Sequence, residues 1–189
     1  QNGHEPVVAR LLKAGADMDK PQQDGATPLF IAAAKGHEPV VARLLKAGAD
    51  KEKATQTGAT PLHVAAVKGY ELLVARLLDA GADPDKANEN GCTPLFMAAQ
   101  NGHEPVVARL LKAGADKDKE DEDGDTPLLI AALNRHEPVV ARLLEAGADK
   151  EKARHNGDTP LLMAAQEGHE PVVARLLEAG ADKDKEDED

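Results

Sequence analysis

The chain has 189 residues, 41% hydrophobic but only 2% aromatic, and a formal net charge of −11 from 34 acidic against 23 basic side chains. A surface that acidic repels phosphate backbones, which excludes nucleic-acid binding through a basic patch and favours solubility. No apolar run approaches the roughly 20 residues that span a bilayer, so no membrane partner is expected, and the single cysteine, Cys92, excludes an internal disulfide. A lone thiol and no visible signal peptide fit a reducing, intracellular setting, most simply the cytoplasm.

Gln1 to Pro21 has the pattern of half a unit: a turn at Gly3-His4, a helix from about Pro6 to Ala14, then a charged loop. From Gln22 a fuller pattern begins, and it recurs. Thr-Pro stands at Thr27, Thr60, Thr93, Thr126 and Thr159, a step of 33 residues, and Gly-Ala-Asp at Gly15, Gly48, Gly81, Gly114, Gly147 and Gly180 keeps that step. A fixed period of this size denotes a stacked array, which grows by adding layers to an elongated core. Whole units are expected at 22–54, 55–87, 88–120, 121–153 and 154–186, with 1–21 a partial unit and 187–189 the opening of another. Ala181–Asp189 repeats Ala115–Asp123, which runs on into the next Thr-Pro, so the chain is expected to be an excerpt of a longer array.

Each unit carries helix punctuation. Thr27 is a good N-cap and Pro28 suits the first helical position, where its missing N–H costs nothing. A first helix is predicted over Pro28–Lys35, ended by Gly36 in a left-handed conformation. Pro39 is predicted to open a second helix, with Glu38 at its positive end and Gly48 as its stop. Val40, Val41, Leu44 and Leu45 form one broad apolar face, while Ala32 and Ala33 let neighbouring helices approach closely. Neither helix reaches the ~12–15 residues that make an isolated helix even marginal in water. Stacking must supply the stability.

Thr60-Pro61-Leu62-His63-Val64-Ala65 matches the TPLHxA signature of ankyrin repeats, at their period. Gly36-His37, Val40-Val41, Leu44-Leu45 and Gly48-Ala49-Asp50 resemble the framework of the same family, and the resemblance covers essentially the whole chain. It implies an all-α ankyrin-repeat solenoid of antiparallel helix pairs with projecting hairpin-like loops. Three departures stand out. Phe30, Phe96, Leu129 and Leu162 replace the signature histidine, so its polar contact is expected only at His63. Arg135 stands where other units have Gly36, Gly69, Gly102 and Gly168, predicting a strained or altered turn. Tyr70-Glu71-Leu72-Leu73 replaces His-Glu-Pro-Val. Near-identical second helices suit recent duplication or design, whereas Arg135 and the Tyr70–Leu73 divergence suit natural drift.

No catalytic, cofactor or metal site emerges. His4, His37, His103, His136 and His169 recur at one structural position, which marks a framework residue, since metal sites need converging ligands. His37-Glu38-Pro39-Val40-Val41 is not HExxH, because Val41 occupies the second histidine's place. Cys92 lacks the electropositive surroundings that activate a thiol. The carboxylate run Asp116–Asp125 lacks an EF-hand's ligand spacing, with Lys119 in the first ligand place and Ile130 in the last, and is expected to be a solvated loop.

The informative contrast is between what stays fixed and what varies. Second helices are near copies. The loop tips differ: Gln22-Gln23-Asp24, Thr55-Gln56-Thr57, Asn88-Glu89-Asn90, Asp121-Glu122-Asp123 and Arg154-His155-Asn156. So do the slots before Thr, at Ala26, Ala59, Cys92, Asp125 and Asp158. First-helix ends differ as well, at Ala34-Lys35, Val67-Lys68, Gln100-Asn101, Leu133-Asn134 and Gln166-Glu167. In the fold that the resemblance implies, these sets line one concave face. The expectation is a non-enzymatic module that binds another protein, with a basic surface to suit the acidic tips. The alternative is a spacer or an array that self-associates end to end through uncapped terminal units.

Overall fold

The computed structural model describes residues 4–184; the expected turn residue Gly3 and the 187–189 opening lie outside the described residues. Its elements are α1 (Glu5–Lys13), α2 (Pro28–Ala34), α3 (Glu38–Lys46), α4 (Pro61–Val67), α5 (Glu71–Asp79), α6 (Pro94–Gln100), α7 (Glu104–Lys112), α8 (Pro127–Leu133), α9 (Glu137–Glu145), α10 (Pro160–Gln166) and α11 (Glu170–Glu178). No strand occurs among the described residues. Each seven-residue first helix packs on its own second helix and on the first helices of neighbouring units, and second helices stack likewise. The result is two parallel rows, with the core between them.

The local chemistry explains the boundaries. All five threonines cap as expected: Thr27 Oγ1, for example, accepts from Phe30 N at 3.1 Å. The prolines take the first position of their helices. First helices stop one residue sooner than predicted, because Lys35 and its counterparts serve as C-caps before the left-handed glycine, Gly36 at φ 70°. Second helices start one residue sooner, at Glu38 with Pro39 behind it. The His37 carbonyl accepts from both Val40 N and Val41 N at 3.0 Å, so the first turn is already closed. For the same reason α1 runs Glu5–Lys13 instead of starting at Pro6.

Burial follows the repeated apolar face. Leu29, Val41, Leu62, Val74, Leu95, Val107, Leu128, Val140, Leu143 and Leu176 are at most 1% exposed. Each such side chain is worth ~1.5–3 kcal/mol when fully buried. The alanine pairs, Ala65-Ala66 through Ala131-Ala132, are completely buried, so a single methyl sets how closely the rows approach. Val7 and Leu11 of α1 are 53% and 54% exposed, whereas their equivalents Val40 and Leu44 are buried against α2.

Three polar ladders join successive layers. On the second helices, Arg43, Arg76, Arg109, Arg142 and Arg175 pair with Glu5, Glu38, Glu71, Glu104 and Glu137 of the preceding layer at 2.5–2.8 Å. In the charged loops, Lys53, Lys86, Lys119 and Lys152 donate to the carbonyls of Asp19, Glu52, Asp85 and Asp118 at 2.7–2.9 Å. The side chains of those four acids accept from the backbone N–H of Asp50, Asp83, Asp116 and Asp149. The Asp116–Asp125 run is therefore not a simple solvated loop: Asp118 binds the next layer, and Asp121 braces its own turn. At the first-helix ends, Nε2 of His103, His136 and His169 lies 2.9–3.0 Å from the carbonyls of Val67, Gln100 and Leu133 one layer back. These histidines are framework groups.

Arg135 keeps the left-handed backbone of its glycine counterparts at φ 62°, so the departure strains the turn. An L-residue there costs ~1–2 kcal/mol. A Cβ at Gly69 or Gly102 would also lie 2.7 or 2.6 Å from the next histidine ring. Arg135→Gly is expected to raise stability by about 1 kcal/mol, after the greater chain entropy of glycine is set against the relieved strain. A higher urea midpoint at unchanged slope is the readout.

Candidate protein-binding surface

The tips are built from the backbone outward. In each one, the first residue's N–H donates to the carbonyl of the slot before Thr, as in Asn88 N to Cys92 O at 3.0 Å. Where that first residue is Asn or Asp, its side chain braces the turn. Asn88 Oδ1 accepts from Asn90 N and Cys92 N, and Asp121 Oδ1 from Asp123 N and Asp125 N. The fourth residue is glycine because the next tip leaves no room: a Cβ on Gly58, at φ 75°, would lie 2.8 Å from Glu89 N.

Adjacent tips are bonded to each other through the main chain. Gln56 N donates to Asp24 O, Glu89 N to Thr57 O, Glu122 N to Asn90 O and His155 N to Asp123 O, at 2.9–3.4 Å. The five tips thus form one ridge. Along it the second and third positions are exposed: Gln23, Asp24, Gln56, Thr57, Glu89, Asn90, Glu122, Asp123, His155 and Asn156. Of the first positions, Gln22 is exposed, whereas Thr55, Asn88, Asp121 and Arg154 are half-buried. At the first-helix ends, Lys35, Lys68, Gln100, Asn101, Asn134, Gln166 and Glu167 are exposed.

The slots before Thr need correction as surface positions. Ala26, Cys92 and Asp125 are buried at 3%, 9% and 5% exposure, and Ala59 and Asp158 are half-buried. The slot lies at the tip's base, where its backbone closes the turn and the following layer covers its side chain. Cys92 is accordingly inert. Burial pushes its thiol up to about 11, and Asp121, Glu122, Asp123 and Asp125 add to that shift. Asp125 reaches across to Arg154, whose Nη2 lies 2.8 Å from its Oδ2, while its other oxygen is buried without a hydrogen bond. Burial holds this carboxyl above the ordinary value, with Arg154 opposing the shift.

His63 keeps the polar contact that its counterparts lack. Thr60 N–H donates to Nδ1 at 3.2 Å, which places the ring proton on Nε2, 3.1 Å from the Cys92 carbonyl of the next layer. One neutral ring closes the helix cap and ties two layers together. Burial lowers its pKa below the ordinary 6.5, against the raising effect of the Cys92 carbonyl. Among the described residues no group of three or more His, Cys, Asp or Glu is arranged to hold a metal, and no helix is long and apolar enough to cross a membrane.

A solenoid of helix pairs, with fixed residues spent on stacking and varied ones exposed along a ridge, is the class of protein this geometry defines. The family model for ankyrin repeats (3 copies) matches residues 1–88, 71–154 and 113–187, and the chain belongs to the ankyrin repeat family. Ankyrin repeats are in general protein–protein interaction modules, and the family is typically non-enzymatic. No curated protein matches the chain.

The pH dependence of the His63 link has a definite sign. With its folded pKa below 6.5, its contribution is complete above pH 6.5 and declines as pH falls from there toward the lowered value, because the unfolded chain takes up the proton first. His63→Phe, the residue of two other units, is expected to remove that component. Urea midpoints near pH 7.5 and pH 5 are the check: the fall between them should be smaller in the variant than in the parent.

Proposed function

We propose that this protein binds a protein partner through the concave face formed by its tip ridge and first helices. The observation that carries this reading is how the charges are used. The repeated Arg, Lys and acidic residues of the second helices and charged loops are largely consumed in layer-to-layer bonds. Gln23, Glu89, Glu122 and Asp123 instead hold exposed side chains on a ridge that needs none of them for its backbone bonds. Loops carried on a rigid scaffold are common binding elements. The family's general role points the same way.

Glu89, Glu122 and Asp123 make the middle of the ridge acidic, so the partner surface facing it is basic. Such attraction speeds association and is screened by salt. Glu122→Lys with Asp123→Lys is expected to lower affinity for the partner by roughly tenfold, a change of ~1.4 kcal/mol, while leaving the thermal midpoint nearly unchanged. Asp121 is kept because it braces the turn. Affinity captured from lysate and then measured with the purified partner should also fall between low and high salt. Equal affinity in parent and double variant would overturn the reading.

A further inference from the structure

One departure from the repeat builds a feature that no other layer has. At the turn joining α4 to α5, Tyr70 stands where five other layers have histidine, and Leu72 where they have proline. Leu72 is 69% exposed, more than any other large apolar side chain among the described residues. The Tyr70 ring lies over Gly36 of the preceding layer, where a Cβ would meet its Cζ at 3.1 Å, and it is itself 37% exposed. Together with Leu73, Lys35 and Glu38 they line an open cavity of about 390 Å³. It sits at the far end of the first helices from the tips, which about 10 Å of helix separates.

The charges around this cavity are unevenly spent. Glu38 is bonded to Arg76 at 2.5 Å and Glu71 to Arg109 at 2.6 Å, so both carboxylates are already matched. Lys35 is exposed and no described residue pairs with it. What the cavity offers is an aromatic face, an exposed leucine and one unmatched ammonium. We propose that it is a docking site for a segment of another protein that carries a carboxylate side chain next to a bulky apolar one. The apolar side chain enters between Tyr70 and Leu72, and the carboxylate meets Lys35. The charge is opposite to that of the partner surface proposed for the acidic ridge, so the two sites take different types of segment even though Lys35 also lies at a first-helix end of the concave face.

The test uses the full chain and a probe peptide, Gly-Asp-Glu-Leu-Phe-Gly with blocked ends, followed by amide chemical shifts. Shifts confined to residues around Gly36 and Tyr70–Leu73 are expected. The Asn-Gln analogue of the peptide should bind at least roughly tenfold more weakly, as should Lys35→Glu with the original peptide. Tyr70→His with Leu72→Pro gives this layer the residues of the others, including a ring that bonds one layer back, so the fold is retained while the cavity's apolar wall is lost. That variant should lose binding altogether. Equal binding by the parent and this variant, or by the two peptides, or shifts elsewhere on the chain, would overturn the proposal. Glu122→Lys with Asp123→Lys leaves this site intact, so its failure and that of the ridge reading are separable.

Discussion

The architecture depends on one shortage: no helix among the described residues is long enough to hold itself together. First helices have seven residues and second helices nine, well below the ~12–15 at which isolated helices become marginal. Each layer is stable only by burying its apolar face on the next. The alanine pairs matter here as much as the leucines, because complete burial of Ala65, Ala66, Ala98 and Ala99 fixes the row spacing. The polar ladders then recur at a fixed interval because the layers do. A substitution at one rung touches two layers, and nearest-neighbour coupling of this kind is how such arrays distribute stability.

That shortage also divides the labour among charges. A chain of net charge −11 would be expected to display loose carboxylates over its whole surface. Here many of them are bonded: Glu5, Glu38, Glu71, Glu104 and Glu137 to arginines, and Asp19, Glu52, Asp85 and Asp118 to backbone amides. Glu89, Glu122 and Asp123, by contrast, hold exposed carboxylates on the ridge. The ridge is also stiffened by main-chain bonds from tip to tip, so the side chains of Glu89, Glu122 and Asp123 are presented without being needed for the fold. Exposed ion pairs are individually weak and screened by salt, and the ladders act chiefly to fix register between layers whose cohesion comes from burial.

Much of this was legible in the sequence, for identifiable reasons. Thr-Pro marks a helix start with two independent constraints, a cap and a ring, and all five first helices begin there. The strain at Arg135 was legible because its glycine counterparts are all left-handed. The surface was less so. Variation alone does not distinguish an exposed slot from a buried one whose neighbours also change, which is why Ala26, Cys92 and Asp125 resembled exposed residues and are buried. The charged loops resembled solvent-facing tips because composition does not reveal that Lys53 and Asp19, 34 residues apart, are bonded. A signal was present all the same: lysine and acid recur at the repeat interval itself. The cavity beside Tyr70 required the structure, since it arises from which side chains fail to cover one another.

The central claim is that the tips form a single bonded ridge on which Glu89, Glu122 and Asp123 hold exposed side chains free of structural duty. Native-state hydrogen exchange tests it most directly, because the claim distinguishes amides that look alike in a loop. The N–H groups of Gln56, Glu89 and Glu122, each bonded to the preceding tip, should exchange only with the opening of whole layers, and substituting the exposed side chains of Glu89 or Glu122 should leave that protection unchanged. Exchange of these amides at the rate of free loops would contradict the account, as would protection that vanishes when those side chains are replaced.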